Sequence, residues 1–182
     1  MLRLTLLALL ALPWPAFAST WQVDPATSEI LFTYVRADQA AEGRFHKFSG
    51  EGAFDPADPG GSELEIRIES GSIDLGEPLA SAFATSAEWF DSKNHPLVTY
   101  TLDRLEQTGP EAYTATGRLT VRGKTREIVS PLSLSLDGGR AIAEGDLTVE
   151  RRDYLLGVGP AAAFVTIGPE VTVRFRLQAR AQ

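Results

Sequence analysis

His46 and His95 are the only imidazoles in a chain of 182 residues, and cysteine is absent. Without thiols there is no disulfide framework, no Cys-ligated zinc or iron–sulfur centre and no thiol nucleophile. A zinc site built on two histidines needs further ligands, such as the carboxylates of Glu51 or Asp91. The simpler reading is one strand histidine and one turn histidine ahead of Pro96. Asp153 beside Arg151 and Arg152 reads as an ion pair at the surface or at a barrel rim, worth little by itself. Gly157-Val158-Gly159 lacks the third glycine of a dinucleotide fingerprint and follows no strand–helix unit. No G-x-S-x-G, H-E-x-x-H or P-loop occurs. These residues designate no catalytic group, no metal ligand and no cofactor.

The aromatic residues offer more. Phe32, Tyr34, Phe45, Phe48, Trp89, Phe90, Tyr100, Phe164 and Phe175 are either the core of a filled domain or the lining of a pocket for an apolar ligand. Periodicity does not separate the two, since both place apolar groups inside. Charge narrows the partners. With 24 acidic residues against 17 basic, the net charge of −7 argues against a grip on a nucleic-acid backbone, which needs a basic face. A hydrophobic fraction of 43% excludes wholesale disorder.

Something must position those aromatics. Residues 1–18 are set aside first. Arg3, the uncharged run Leu4–Leu12, Pro13 and Pro15, and then Ala16-Phe17-Ala18 form a secretory signal peptide with an A-x-A site after Ala18. The run is too short for a membrane helix, which takes about 20 residues. The remaining chain, 19–182, is one domain. It carries no lipidation cysteine or basic amphipathic helix, so no permanent membrane anchor is expected. The leader implies export, most simply to a bacterial periplasm.

The period along the exported chain is two. Leu64, Ile66 and Ile68 alternate with charged residues, as do Val171, Val173, Phe175 and Leu177, while Leu132, Leu134 and Leu136 alternate with serines. Weaker runs at Glu29–Val35, Phe45–Phe54, Val98–Leu105, Tyr113–Val121 and Ala141–Val149 bring the count to about eight strands. Turn signals separate them, among them Asp55–Gly61, Thr108-Gly109-Pro110, Arg122-Gly123-Lys124 and Asp137-Gly138-Gly139. Short connections favour an antiparallel meander. Thr85-Ser86-Ala87-Glu88 fits a capping box, and Phe83, Ala87 and Phe90 follow helical spacing, so one short helix is expected over residues 81–91. One helix cannot cover two sheet faces, so the strands face one another as a sandwich or a closed barrel. An eight-stranded barrel is filled by side chains or holds one small ligand. An outer-membrane barrel is disfavoured: the chain ends Leu177–Gln182 without a closing aromatic, aromatic girdles are missing, and most of these runs fall short of the 9–11 residues of a spanning strand.

The order of short motifs adds a resemblance. Trp21–Ser28 leads into Ile30-Leu31-Phe32. Glu42-Gly43-Arg44-Phe45, Phe48-Ser49-Gly50 and Ser70-Gly71-Ser72-Ile73-Asp74 follow. Next come Ser86–Asp91, Pro96–Tyr100 and Gly117–Gly123, then Arg151–Gly157 and Gly168–Val171. Over essentially all of 19–182 this resembles the YceI-like family of periplasmic polyisoprenoid-binding proteins. The resemblance implies an extended antiparallel, lipocalin-like barrel of eight strands with one short helix near one end. It also implies an apolar pore for a long-chain isoprenoid or a quinone-like lipid. Phe32, Tyr34, Phe45, Phe48, Trp89, Phe90, Val98, Tyr100, Leu119, Phe164 and Phe175 would then be ligand contacts. Three places depart from the family pattern. Ala80–Ala84 stands where a charged Arg-Asp-x-His-Leu stretch is usual, Trp89 replaces the first phenylalanine of a pair, and Arg36-Ala37-Asp38 replaces a pore-mouth histidine.

The expected role is therefore binding, transport or storage of a lipid rather than catalysis. Two rivals stand beside it. One is a periplasmic enzyme acting on a lipophilic molecule through Tyr34, His46 or Asp153. The other is a filled barrel serving as a protein-interaction module. A homodimer is left open, and Gly157–Phe164 is either a cover for the pore mouth or a plain connector. N-terminal sequencing of the exported protein is expected to begin Ser19-Thr20-Trp21. Retention of residues 1–18 in the exported protein would contradict the leader.

Overall fold

The computed structural model describes residues 19–160 and 165–182. The leader and Phe164 lie outside the described residues. Eleven strand segments and one helix follow in order: β1 (Ser19–Val23), β2 (Glu29–Arg36), β3 (Gln39–Phe45), β4 (Phe48–Phe54), β5 (Glu63–Glu69), β6 (Ile73–Asp74), α1 (Pro78–Ala84), β7 (Leu97–Gly109), β8 (Ala112–Val121), β9 (Lys124–Asp137), β10 (Arg140–Glu150) and β11 (Ile167–Ala181). Every pairing is antiparallel, and β1 also pairs β11, which closes the sheet.

The eleven segments occupy eight strand positions. β1 lies against Ala179–Ala181 of β11, and β2 lies against Ile167–Arg176 of the same strand. β1 and β2 are thus one barrel strand broken at residues 24–28. β4 and β3 pair with β1 and β2 in turn, and β5 and β6 pair with β4 and β3. The breaks in these two strands fall at residues 46–47 and at the 3₁₀ turn Ser70–Ser72. From β7 to β11 the strands run as an uninterrupted meander. The fold is a closed eight-stranded antiparallel barrel with one helix.

A break strands backbone groups that must find other partners. Serines supply them. The Ser28 hydroxyl donates to the Asp24 carbonyl at 2.7 Å and accepts from the Gln178 amide at 2.8 Å. The Ser72 hydroxyl accepts from the Lys47 amide at 3.1 Å, and the His46 amide donates to the Ser72 carbonyl at 3.2 Å.

Three sequence expectations need correction. The helix runs Pro78–Ala84 rather than 81–91. Pro78 opens it with a preset φ and no N–H to satisfy, and Thr85 is its C-terminal cap, its hydroxyl donating to the Ala82 carbonyl at 2.8 Å. Tertiary bonds hold the following residues in turns instead: the Phe90 amide reaches the Ala84 carbonyl at 3.0 Å, and Arg122 donates to the Ala87 carbonyl. Second, Phe45–Phe54 is two segments divided at residues 46–47. Third, β7 to β11 are 10 to 15 residues long, so strand length does not argue against a membrane barrel. Polarity does. Glu144–Arg176 at 2.6 Å, Asp146–Arg174 at 2.9 Å and Asp103–Arg118 at 2.9 Å lie on exposed side chains of these strands. Apolar side chains face inward, the inverse of a lipid-facing barrel wall.

Replacing Ser28 with Ala orphans the half-buried Gln178 amide, which is expected to destabilise the fold by about 1–3 kcal/mol. Urea unfolding checks this. A loss below about 0.5 kcal/mol, the range of neutral surface changes, would show that the break is not held by this hydroxyl.

Candidate functional site

The barrel encloses a cavity of about 660 Å³, within the size range of small-molecule sites. Alternation builds its wall. On β2, Ile30, Phe32 and Tyr34 face it; on β11, Val171, Val173, Phe175, Leu177 and Ala179 do. β10 contributes Ala141, Ala143, Leu147 and Val149, and β7 contributes Val98, Tyr100, Leu102 and Leu105. Leu79, Ala80 and Phe83 of α1 join the lining together with Trp89 and Phe90 from the turn after it. Leu79 lines the cavity while 87% exposed, which marks the α1 end as a mouth.

The large side chains do not fill this space, because glycines seat them against the wall. A Cβ on Gly43, directly across from Phe32 on the neighbouring strand, would stand 2.4 Å from that ring. On Gly145, across from Phe175, it would stand 2.8 Å from the ring. A Cβ on Gly117 would stand 2.6 Å from the Tyr100 hydroxyl, and one on Gly157 2.6 Å from the Trp89 indole. Each ring occupies the volume that a neighbouring side chain would have taken. Smaller contacts link the aromatics: Phe32 to Phe45 at 5.4 Å and Phe45 to Phe90 at 5.7 Å between ring centres.

Of the eleven residues expected as contacts, nine line the cavity: Phe32, Tyr34, Phe45, Trp89, Phe90, Val98, Tyr100, Leu119 and Phe175. Phe48 does not. It opens β4 just after the strand break, is buried in the main core cluster, and borders a shallow outer hollow with Pro25 and Leu97. Phe164 lies outside the described residues. Burial is the first cause of every tyrosine shift here. It pushes the Tyr100 hydroxyl up to about 12, with the Asp103 carboxylate adding to it, and raises Tyr34 and Tyr154 as well.

The residues considered for catalysis are not gathered. His46 sits on the outside, its Nε2 3.0 Å from Asp74 Oδ2, and the hydrogen bond to His46 lowers the Asp74 pKa. His95 Nε2 stands 3.9 Å from Asp91 Oδ2. Neither His46 nor Asp153 lines the cavity. Among the described residues no group of three or more His, Cys, Asp or Glu side chains could hold a metal ion.

Arg151 does not make the ion pair expected at the surface or at a barrel rim. It is 7% exposed and lines the cavity. Its guanidinium donates to four carbonyls: Gly168 and Ile167 at 2.9 Å, Leu156 at 2.5 Å and Gly157 at 3.1 Å. It also lies 5.5 Å from the centre of the Trp89 ring, and burial lowers its pKa. This one side chain ties the start of β11 to the turn after the 3₁₀ segment Arg151–Tyr154. The neighbouring Arg152 and Asp153 point to the surface or the barrel rim, so nothing in the sequence marks Arg151 as buried.

The comparisons with known proteins agree with this architecture. The YceI-like domain family matches residues 21–179. A UPF0312 protein of Vibrio cholerae is 25% identical over 169 residues, 88% of this chain and 89% of the relative. One from Pectobacterium atrosepticum is 25% identical over 178 residues, 92% of each. Burkholderia cenocepacia BcnA superposes with a TM-score of 0.80 at 28% identity, covering 86% of this chain and 98% of BcnA. A polyisoprenoid binding domain from Saccharophagus degradans gives a TM-score of 0.74 at 19% identity, over 91% and 99% of the two chains, a likeness of fold. A closed barrel with an apolar lumen and a family match over most of its length establish that this chain belongs to the YceI-like domain family.

Proposed function

We propose that this protein binds a long-chain apolar lipid, an isoprenoid or the tail of a quinone-like molecule, and carries or stores it in the periplasm. The observation that carries this reading is the open lumen. The barrel keeps about 660 Å³ of space behind a nearly all-apolar wall, where a filled interaction module would have interdigitated side chains. Each methylene moved from water into such a space gains about 0.8 kcal/mol, so a long chain needs few polar contacts and chain length is read loosely. A structural relative from Saccharophagus degradans that is a polyisoprenoid binding domain supports the ligand class. The leader read from residues 1–18 supports the compartment.

Native mass spectrometry of protein purified from its own periplasm tests the reading directly. The expected result is a mass increment lost on extraction with organic solvent and identified as a lipid. Bare protein in every preparation, with no uptake of added isoprenoid, would overturn it. Tyr100→Arg puts an unpaired charge into the lumen, where it is strongly unfavourable, and is expected to abolish lipid uptake in a variant that keeps its β circular dichroism. Phe175→Leu keeps the wall apolar and is expected to cost less than about 1.5 kcal/mol in urea unfolding while retaining uptake. Full occupancy in a folded Tyr100→Arg would show that Tyr100 does not contact the ligand.

A further inference from the structure

An apolar tunnel explains how a lipid tail is held but not which way round it lies. The polar atoms left over in the wall bear on that. Buried donors and acceptors are almost always paired, so an orphan in a ligand cavity is informative about what the cavity holds. Among the described residues, three buried side-chain atoms lack a partner: Trp21 Nε1, Trp89 Nε1 and Ser92 Oγ. Two belong to cavity-lining residues, and both are indole N–H groups, which donate and never accept. Arg151 adds a third donor. Of its five N–H groups, four bonds to carbonyls are present, leaving one on Nη2 without an acceptor among the described residues. The hydroxyls of Ser62 and Ser130, also in the lining, already donate to backbone carbonyls at 2.6 and 3.2 Å.

These donors are unevenly placed. Trp89 and Arg151 are stacked together beside the start of β11, next to α1 and the mouth. Trp21 sits opposite Ala181, at the far end of the same strand. The intervening strand spans about 45 Å at 3.3 Å per residue. The α1 end of the lumen is therefore lined by the buried Arg151 cation and the Trp89 indole, close to the Arg36–Glu77 ion pair, and the far end by Trp21 and the Glu63 carboxylate.

We infer that Arg151 and Trp89 form a head-group site that takes a hydrogen-bond-accepting oxygen, a carbonyl or an anionic oxygen, and so fixes the ligand with its polar end at the α1 mouth and its tail toward Trp21. The site rests on the lipid-binding reading above and adds an orientation and a head-group chemistry to it. A guanidinium buried with only neutral carbonyls around it gains from a strong acceptor. A pure hydrocarbon would leave both donors unmet.

Two probes with the same tail separate head-group reading from tail binding: a decyl-substituted benzoquinone, with acceptor oxygens, and decylbenzene, with none. Affinities follow from quenching of tryptophan fluorescence, with calorimetry for the tryptophan variants. Wild type is expected to prefer the quinone by tenfold or more, the combined effect of two hydrogen bonds. Trp89→Phe keeps the ring and removes the N–H. It is expected to cut that preference roughly three- to tenfold, with decylbenzene binding unchanged. Arg151→Lys, which keeps the charge but not the fork of donors, is expected to lower the preference further. Trp21→Phe is the control and is expected to leave it intact.

Equal binding of both probes by wild type would overturn the head-group site while leaving lipid binding standing. Loss of the preference in Trp21→Phe but not in Trp89→Phe would overturn the orientation. Binding of neither probe nor of any longer isoprenoid would instead fail the lipid-binding reading itself. Because Arg151 also ties two loops together, its variant is interpreted only if circular dichroism and the unfolding midpoint match wild type; Trp89→Phe carries the test otherwise.

Discussion

Every property of the lumen depends on where its aromatic rings lie. A barrel of eight strands is at the size where side chains can fill the interior completely. Here Phe32, Phe175, Tyr100 and Trp89 each lie over a glycine, so the rings flatten against the wall. Any larger residue at Gly43, Gly117, Gly145 or Gly157 would push a ring of this size inward. The aromatics thus satisfy two demands at once: they cover bare backbone, and they leave the axis of the barrel open.

The rest of the architecture keeps that open interior from being a liability. Closure through β1 and β11 joins the two sides of the sheet into a ring, with unpaired edge left only over short stretches such as β6, which pairs β3 alone. The three broken strands do not abandon the backbone groups at their breaks, because Ser28 and Ser72 fill the gaps. Charged pairs such as Glu144–Arg176 face water on the same strands whose other face is apolar. Individually such exposed pairs contribute little, up to about 1 kcal/mol, but they settle which face is outside. At the α1 end, Arg122 and Arg151 together pin the turns around Trp89 by hydrogen bonds to the Ala87, Leu155, Leu156 and Gly157 carbonyls.

Most of the strands were legible in the chain because alternation survives wherever one face is apolar and the other charged, as in β5 and β11. The first half of β9 was not, since Lys124, Thr125, Arg126 and Glu127 carry no apolar face. β1 is too short to show a period, and the strand breaks replace no more than a few residues. The helix was misplaced because a capping signature at Thr85–Glu88 outranked Pro78, while residues 85–91 are held in turns by local backbone bonds such as Phe90 to Ala84 and by the distant Arg122. For the site, the inward aromatics were visible but their arrangement was not. Gly43, Gly117 and Gly145 read as weak strand residues, and only the pairing register sets each one under or beside a ring. Arg151 was hidden for the same reason: its partners are backbone carbonyls, which no side-chain pattern reports.

The central claim is that the rings stay on their glycines and the lumen stays open to a long apolar ligand. A crystal structure of protein purified from its native cells, without delipidation, tests this most directly. The expected result is continuous elongated density running along the lumen from the Trp89 end toward Trp21, with Phe32, Tyr100 and Phe175 lying against Gly43, Gly117 and Gly145. Rings turned inward to meet one another across an interior that holds no ligand would contradict it.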